Sequence, residues 1–302
     1  LGLDLKYRLS KASAVDISIN PDFSQIEMDP EYINLSYYEI YLPEKRKFFN
    51  ETESLFNTPI ELFYSRRIGI LDSKINSAYK IKGRSYSGID YGVIIANTRA
   101  DSVKFSLWND TGSKYYASRV AKDFNIFNIS SYFGVTTLQS SNSKTLSIIS
   151  LDNSTYFLNE NLIVDYQYVK DNNQNSEEFG YYFNASYFSQ FPIFFNFNTE
   201  YYSENLDLNK MGFLYRNNIK SFDYNIGFKK NTSTFSYIRK FNINISRSIH
   251  RNLKHLKIKD NIGVRLKMYL LNYSKFTIGY FFEEEHYNDY YMYDYEEKSN
   301  GP

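Results

Sequence analysis

The stretch "FFNFNTEYY", at Phe194–Tyr202, decides the fold class of this chain. Aromatic and polar residues alternate along it, with Phe195, Phe197, Thr199 and Tyr201 on one side and Asn196, Asn198 and Glu200 on the other. Successive side chains of a β-strand leave opposite faces of the sheet, so this spacing predicts a strand with one apolar and one polar face.

The same two-residue period recurs through most of the chain. It is clear in "LGLDLKYRL" (1–9), "AVDISIN" (14–20), "FNINIS" (241–246), "NIGVRLKMYL" (261–270) and "KFTIGYFFE" (275–283). Polar turns separate these runs, and "LDNST" (151–155) and "LLNYSK" (270–275) are two of the predicted ones. We count about 14–16 strands of roughly 8–13 residues, which is long beside the usual length of about 5–6. The best helix candidate is 30–42, with Asp29 as its cap.

Composition excludes several classes of function. Lys plus Arg number 35 and Asp plus Glu number 34 in 302 residues, so the chain lacks the basic footprint of a nucleic-acid-binding protein. Cysteine is absent, which rules out disulfides and Cys-ligated metals. Aromatic residues reach 19%, yet the mean hydropathy is −0.51. The apolar surface is therefore spread in alternation and not gathered in blocks.

Two architectures suit many long alternating strands, a soluble β-sandwich or propeller and a membrane-spanning barrel. No run of 18 apolar residues occurs, so a transmembrane helix is not expected, whereas a transmembrane strand needs only about 9–11 residues. Tyrosines cluster near the predicted strand ends, where the aromatic girdles of membrane barrels lie. They are Tyr115, Tyr116, Tyr181, Tyr182, Tyr201, Tyr202, Tyr290 and Tyr291. We therefore predict an all-β fold, an antiparallel transmembrane β-barrel.

One segment departs from the alternation. It reads "NPDFSQIEMDPEYINLSYYEIYLPEKRKFFNETESLF" (20–56), followed by "LFYSRRIG" (62–69). These residues resemble the outer-membrane β-barrel domain of unknown function, family 5916. The likeness covers about fifty residues, with departures such as Lys47, where the family has proline. Weaker similarity continues in "AYKIKGRSYSGIDYGVIIANT" (78–98) and "NLDLNKMGFLYRNN" (205–218).

The resemblance implies a barrel in the outer membrane of a Gram-negative bacterium. It implies that residues 1–302 form the N-terminal part of the barrel domain, and that a carbohydrate-binding family 9-like module, absent from this chain, precedes it. It carries over no catalytic residue, and no cofactor is expected.

Residues 20–59 behave as an insert between an early hairpin and the remaining strands. Prolines 21, 30 and 43 cannot donate to a central ladder, and the many charges of the insert could not face lipid. A large barrel has an aqueous lumen, so we expect this plug-like segment inside it or capping its periplasmic mouth, held by arginine–carboxylate pairs. The candidate binding residues are Asp22, Glu27, Asp29, Glu39, Glu44, Lys45, Arg46, Arg66 and Arg67.

No motif in the sequence points to an enzyme. The carboxylates Asp22, Glu27, Asp29 and Glu31 lack the spacing of a calcium loop and suit a salt-bridged plug better. A glycosidase pair, Glu39 with Glu44 or within "EEE" at 283–285, has no separation that the sequence defines, and the glutamate run reads as an exposed loop. His250, His255 and His286 read as surface-loop residues.

The expected function is transport or surface handling of a carbohydrate or similar solute at the outer membrane. The expected partners are membrane lipid, carbohydrate and other outer-membrane proteins. A soluble β-rich carbohydrate-binding or adhesin module and a membrane-embedded glycan hydrolase remain as alternatives. Because "YEEKSNGP" at 295–302 is not a closing strand, a complete wall is expected to need sequence beyond Pro302.

Overall fold

A computed structural model describes residues 2–21, 33–34, 38–69, 73–100, 112–141, 146–172, 177–188, 192–231 and 237–285 of the chain. Those residues form an all-β structure with one sheet of 14 strands, ordered β1 to β14 as in the sequence. Every neighbouring pair is antiparallel. The predicted all-β antiparallel class is confirmed.

The strands are β1 Leu3–Ser10, β2 Ser13–Ile19, β3 Ser73–Arg84, β4 Ile89–Ala100, β5 Lys114–Ile126, β6 Ile129–Ser141, β7 Leu146–Phe157, β8 Leu162–Asp171, β9 Glu178–Phe188, β10 Ile193–Tyr202, β11 Ile219–Asn231, β12 Ile238–Arg251, β13 Lys257–Leu270 and β14 Lys275–Glu285. The described residues between β2 and β3 contain the α-helix α1, Lys47–Phe56, and a 3₁₀ turn, Ser65–Arg67.

The register gives the sheet two chemically different faces. We call the inner face the one against which residues 38–69 pack, and the outer face the opposite one. Across β10 to β13, Asn196 pairs with Asn225, Asn225 with Ser246 and Ser246 with Gly263, all on the inner face. The outer-face row beside it runs through Ile226, Ile245 and Val264. Across these four strands the alternation read from the sequence thus separates polar from apolar residues, whereas the strands beneath the inner segment also carry apolar residues on the inner face.

The two ends of the sheet also differ. Tight turns of two to four residues join β1–β2, β3–β4, β5–β6, β7–β8 and β13–β14 at one end, which we call the turn end. The opposite end, the loop end, carries the long connection 20–72, the loop 203–218 and the turn 252–256. Residues 38–69 of the first connection and the loop 203–218 fold back over the inner face.

The two edges of the sheet are β1 and β14, and no ladder joins them among the described residues. A closed barrel is therefore not observed, although the observed 14 strands lie within the expected number. Within the described ranges, β14 pairs with β13 over Lys259–Tyr269.

Four local predictions are wrong. "LDNST" (151–155) is not a turn, because it lies within β7 and its Asp152 forms an inner-face ion pair; the turn comes at 158–161. The described part of 30–42 is not helical, and the helix begins at Lys47. Glu283–Glu285 ends β14 instead of forming a loop. His250 is a half-buried residue of β12 whose ring nitrogen lies 3.2 Å from Asp223.

Candidate functional site

The most distinctive site of the molecule is the segment that covers the inner face. We call residues 38–69 the inner segment. Its helix α1 buries Phe49, Thr52 and Phe56, which are three and four residues apart and share one side of the helix. Arg46 precedes the helix without a side-chain cap, and its guanidinium lies 4.5 Å from the ring centre of Phe49.

Glu44 and Arg46 form the polar centre of the inner segment. Glu44 accepts hydrogen bonds from the backbone amides of Lys45 (2.9 Å) and Arg46 (2.7 Å) and from the Ser65 hydroxyl (2.6 Å). The Arg46 guanidinium donates to the same carboxylate, with Nη2–Oε2 at 2.7 Å, and to the carbonyls of Ser65 and Ile68 at 2.7 Å each. Burial raises the pKa of Glu44, but the hydrogen bonds and charge of Arg46 outweigh it, so the net pKa lies below its usual value.

We call the contacts of Glu44 and Arg46 the clamp, and the neighbouring arginines extend it. Arg67 Nη2 lies 2.6 Å from Glu39 Oε2, so an arginine of "FYSRRIG" does reach a carboxylate of the insert. Arg66 donates to the carbonyl of Pro43 at 2.7 Å, and the Tyr64 hydroxyl donates to the carbonyl of Leu42 at 2.9 Å. The motifs "PEKR" and "YSRR" therefore bind each other and fold the segment onto itself.

The loop 203–218 docks against the inner segment. The Tyr64 amide donates to the Met211 carbonyl at 2.6 Å, and the Phe213 amide donates to the Glu61 carbonyl at 2.8 Å. Gly212 passes so close that a Cβ there would lie 2.6 Å from the Glu61 oxygen. The Tyr38 and Tyr215 rings stack at 4.2 Å. The two long connections thus form one packed unit.

Lys80 anchors the helix to the wall. Its ammonium, on a side chain that is 1% exposed, lies 2.8 Å from Asp16, donates to the Phe48 carbonyl at 2.6 Å and lies 3.3 Å from Glu51. Lys6 reaches the same Glu51 carboxylate at 2.6 Å. The hydrogen bond from Lys6, with the charges of both lysines, lowers the pKa of Glu51 to about 2.

Apolar packing completes the attachment. Small residues of the wall, among them Ala78, Ala96 and Ala117, let the segment approach the sheet closely. The core between segment, loop and wall contains Phe49, Phe56, Ile60, Leu62, Phe63, Ile68, Ile94, Leu138, Ile148, Val169, Leu206, Leu208, Met211 and Leu214. The backbone amide of Ile60 donates to Gln167 Oε1 at 2.6 Å. A side chain of β8 therefore supplies the hydrogen-bond acceptor for a buried amide that lies outside the strands.

A buried ion pair lies on the inner face near the middle of β5 and β7. Arg119 Nη1 and Nη2 each lie 2.6 Å from an oxygen of Asp152, and Nη1 also donates to Thr136 at 2.7 Å. Both partners are buried, and Gly134 on β6 provides the room, since a Cβ there would lie 2.8 Å from Asp152 Oδ2. Sequence reasoning missed this pair because the residues around Asp152, "LDNST", have the composition of a turn.

A cavity of about 550 Å³ separates α1 from the first strands at the turn end. Lys6, Arg8 and Lys82 line it from β1 and β3, and Tyr132 lines it from β6. Arg8 and Lys82 flank Ala14 in the register, so two cations face a space that a small residue leaves open. Such a lining suits a hydroxyl-rich or anionic solute.

Amide side chains form a row on the inner face from β9 to β12. Asn196 Nδ2 donates to Asn184 Oδ1 at 2.8 Å and to Ser186 at 2.7 Å, and Asn244 donates to Asn225 at 3.1 Å. These residues are polar and uncharged, and each amide has both donors and acceptors. This amide wall can hydrogen-bond a hydroxyl-bearing solute, and Glu200, Asp223 and His250 add ionisable groups to the same face.

Three of the predicted binding residues, Asp22, Glu27 and Asp29, lie outside the described residues. The other predicted residues lie together in the clamp of the inner segment. They are Glu39, Glu44, Lys45, Arg46, Arg66 and Arg67. In the part of the chain that the structure describes, no group of three or more His, Asp or Glu residues could hold a metal ion. Over the same ranges, no helix has the length and apolar character needed to cross a membrane.

Comparison with known families gives one match. The model of a domain of unknown function (DUF5916) matches residues 1–84, which contain β1, β2, the inner segment and β3. No curated protein and no solved structure matches the chain. The match supports a domain of unknown function over that part of the 302 residues.

Proposed function

We propose that the sheet is part of the wall of an outer-membrane β-barrel, with lipid on its outer face and water on its inner face. The observation that carries this proposal is the inverted burial of the sheet. Its outer face exposes large apolar side chains, such as Ile245 at 46%, Ile278 at 64% and Tyr280 at 69%. Its inner face buries ionic groups such as Lys80 and Arg119 beside the apolar core beneath the inner segment. Water-soluble proteins rarely expose contiguous apolar patches beyond a few hundred Å².

Strand length supports the same proposal. Strands β3 to β14 have 10 to 14 residues. At about 3.3 Å per residue and a tilt near 45°, a twelve-residue strand rises about 28 Å, close to the thickness of a bilayer core. Each charged residue that the register assigns to the outer face lies within four residues of a strand end, as Lys122, Arg247 and Asp260 do.

Closure of the barrel requires that the edges of β1 and β14 are paired. The inner segment and the loop 203–218 then lie in the lumen beside β2 to β10. The amide wall beyond β9 and the cavity beside α1 face the remaining space. The proposed role is passage or surface handling of a hydroxyl-rich solute such as a saccharide, with membrane lipid and other outer-membrane proteins as partners.

Two matched substitutions on one strand test the membrane location. Ile245→Arg puts a charge at the middle of β12 on the outer face, and Ser246→Arg puts the same charge on the inner face. A charge at mid-membrane on the lipid side costs about 2–4 kcal/mol. We expect Ile245→Arg to impair insertion into vesicles and Ser246→Arg to insert normally. Equal insertion of both variants, or a wild-type protein that stays monodisperse without detergent, would favour the soluble binding module.

A flux measurement tests the solute class. With the protein in liposomes, Asn225→Leu and Asn244→Leu remove amides from the inner wall, and Ile226→Leu is the outer-face control. We expect several-fold slower uptake of a neutral trisaccharide in the two asparagine variants, with unchanged K⁺ conductance. Uptake that matches the control would refute saccharide handling by the amide wall while leaving the barrel proposal intact.

A further inference from the structure

The outer face carries a groove at its loop end, between β10, β11 and β12. Its volume is about 610 Å³. Phe222 and Ile249 supply apolar side chains, Tyr201 lies on one side, and Lys220 and Arg251 lie nearest the strand ends. The turn 252–256 closes the groove and is held by Asn252, whose side chain accepts from the Leu256 amide at 2.8 Å.

The two cations of the groove face each other directly. Lys220 pairs with Arg251 in the register of β11 and β12, and like charges in this position destabilise a strand pair. Within the described ranges, neither side chain forms a hydrogen bond or an ion pair. Asp260, which pairs with Ile249 on the same face, is already engaged by Arg247 through two contacts of 3.2 Å, and Arg251 attracts it only from a longer distance. An anion between Lys220 and Arg251 would remove this repulsion.

The depth of the groove is marked by an aromatic row on the same face. Tyr168 and Phe179 stack at 6.1 Å, and Phe179 and Tyr201 stack at 5.1 Å, across β8, β9 and β10. Such rings occupy the boundary between hydrocarbon and headgroups in membrane barrels. Lys220 pairs with Tyr201 in the register and so continues this row. Lys220 is the second residue of β11 and Arg251 is the last residue of β12. In the proposed membrane location the two cations therefore lie at the depth of lipid phosphates, and Phe222 lies one row deeper.

We propose that this groove binds an anionic membrane lipid, with its phosphate between Lys220 and Arg251 and its first acyl carbons on Phe222 and Ile249. The inference rests on the proposed membrane location. A lipid fits better than a free phosphate ion because the floor beneath the cations is apolar, and burial of each methylene contributes about 0.8 kcal/mol.

The test compares two lipids with the same acyl chains. The protein in nonionic detergent is titrated with phosphatidylglycerol or phosphatidylcholine, and the bound fraction is read by native mass spectrometry. The double variant Lys220→Gln/Arg251→Gln removes the proposed contacts. The matched control, Lys230→Gln/Arg239→Gln, removes the same charge from the other end of the same two strands.

We expect phosphatidylglycerol to bind the wild type and the control at least about tenfold more tightly than it binds the groove variant. Phosphatidylcholine should show no such difference. An equal loss of phosphatidylglycerol binding in both double variants, or no loss in either, would overturn the inference. So would full competition by inorganic phosphate, which would reveal a simple anion site. A protein that never enters vesicles fails the location test instead, so the two failures are distinguishable.

Discussion

Removal of Arg119 is the sharpest test of the inner-face electrostatics. Arg119→Met keeps a long apolar stem but leaves the Asp152 carboxylate without the guanidinium that lies 2.6 Å from each of its oxygens. The Arg119 side chain is 1% exposed and that of Asp152 is 7% exposed, so water cannot replace the lost partner. Breaking such a buried pair costs about 3–5 kcal/mol.

The matched control is the exposed pair of Arg84 and Asp123, whose closest atoms are 2.7 Å apart. Its side chains are 51% and 43% exposed, so Arg84→Met should change stability little or not at all. The double variant Arg119→Met/Asp152→Leu removes both buried charges. It should recover most of the loss, because the penalty comes from the unpaired carboxylate.

The assay is urea unfolding of the protein refolded in detergent micelles, followed by far-ultraviolet circular dichroism. Heat-modifiable electrophoretic migration gives an independent measure of the folded fraction. The reasoning is refuted if Arg119→Met is no more destabilising than Arg84→Met. It is also refuted if the double variant is as unstable as the single one, since the cost would then come from lost packing.

Three further predictions follow from the inner segment. The hydrogen bond from Lys6 lowers the pKa of Glu51 in the folded protein to about 2. The ionised Glu51 therefore contributes its full stabilisation above the unfolded pKa near 4.3, and this contribution is lost as the pH falls toward 2. Glu51→Gln should flatten this part of a plot of unfolding free energy against pH. Gly212→Ala should loosen the loop 203–218, because its Cβ would meet two backbone oxygens within 2.7 Å, and limited proteolysis should then cut the loop faster. Gln167→Leu should cost about 1–3 kcal/mol in urea unfolding, because the buried amide of Ile60 loses its acceptor.

The sequence by itself determined the strands and the faces of the sheet. The side-chain direction in a strand repeats every two residues, so the face of each residue in "FFNFNTEYY" and "FNINIS" can be assigned from these residues alone. The same local reading showed that 20–69 could not be ordinary wall, since its prolines and charges break the pattern. It also predicted that the arginines of "YSRR" contact carboxylates of the insert, but it did not predict which residues pair.

Only the tertiary structure decided the partners of each charge and the true positions of some turns. "LDNST" has turn composition, yet Asp152 belongs to a strand because Arg119, 33 positions earlier, supplies its counter-charge. Lys80 and Gln167 look like ordinary strand residues, and their roles come from Phe48 and Ile60, which reach them across the inner face. Such contacts join residues far apart in the chain, and their energies depend on burial, which no local pattern of residues contains.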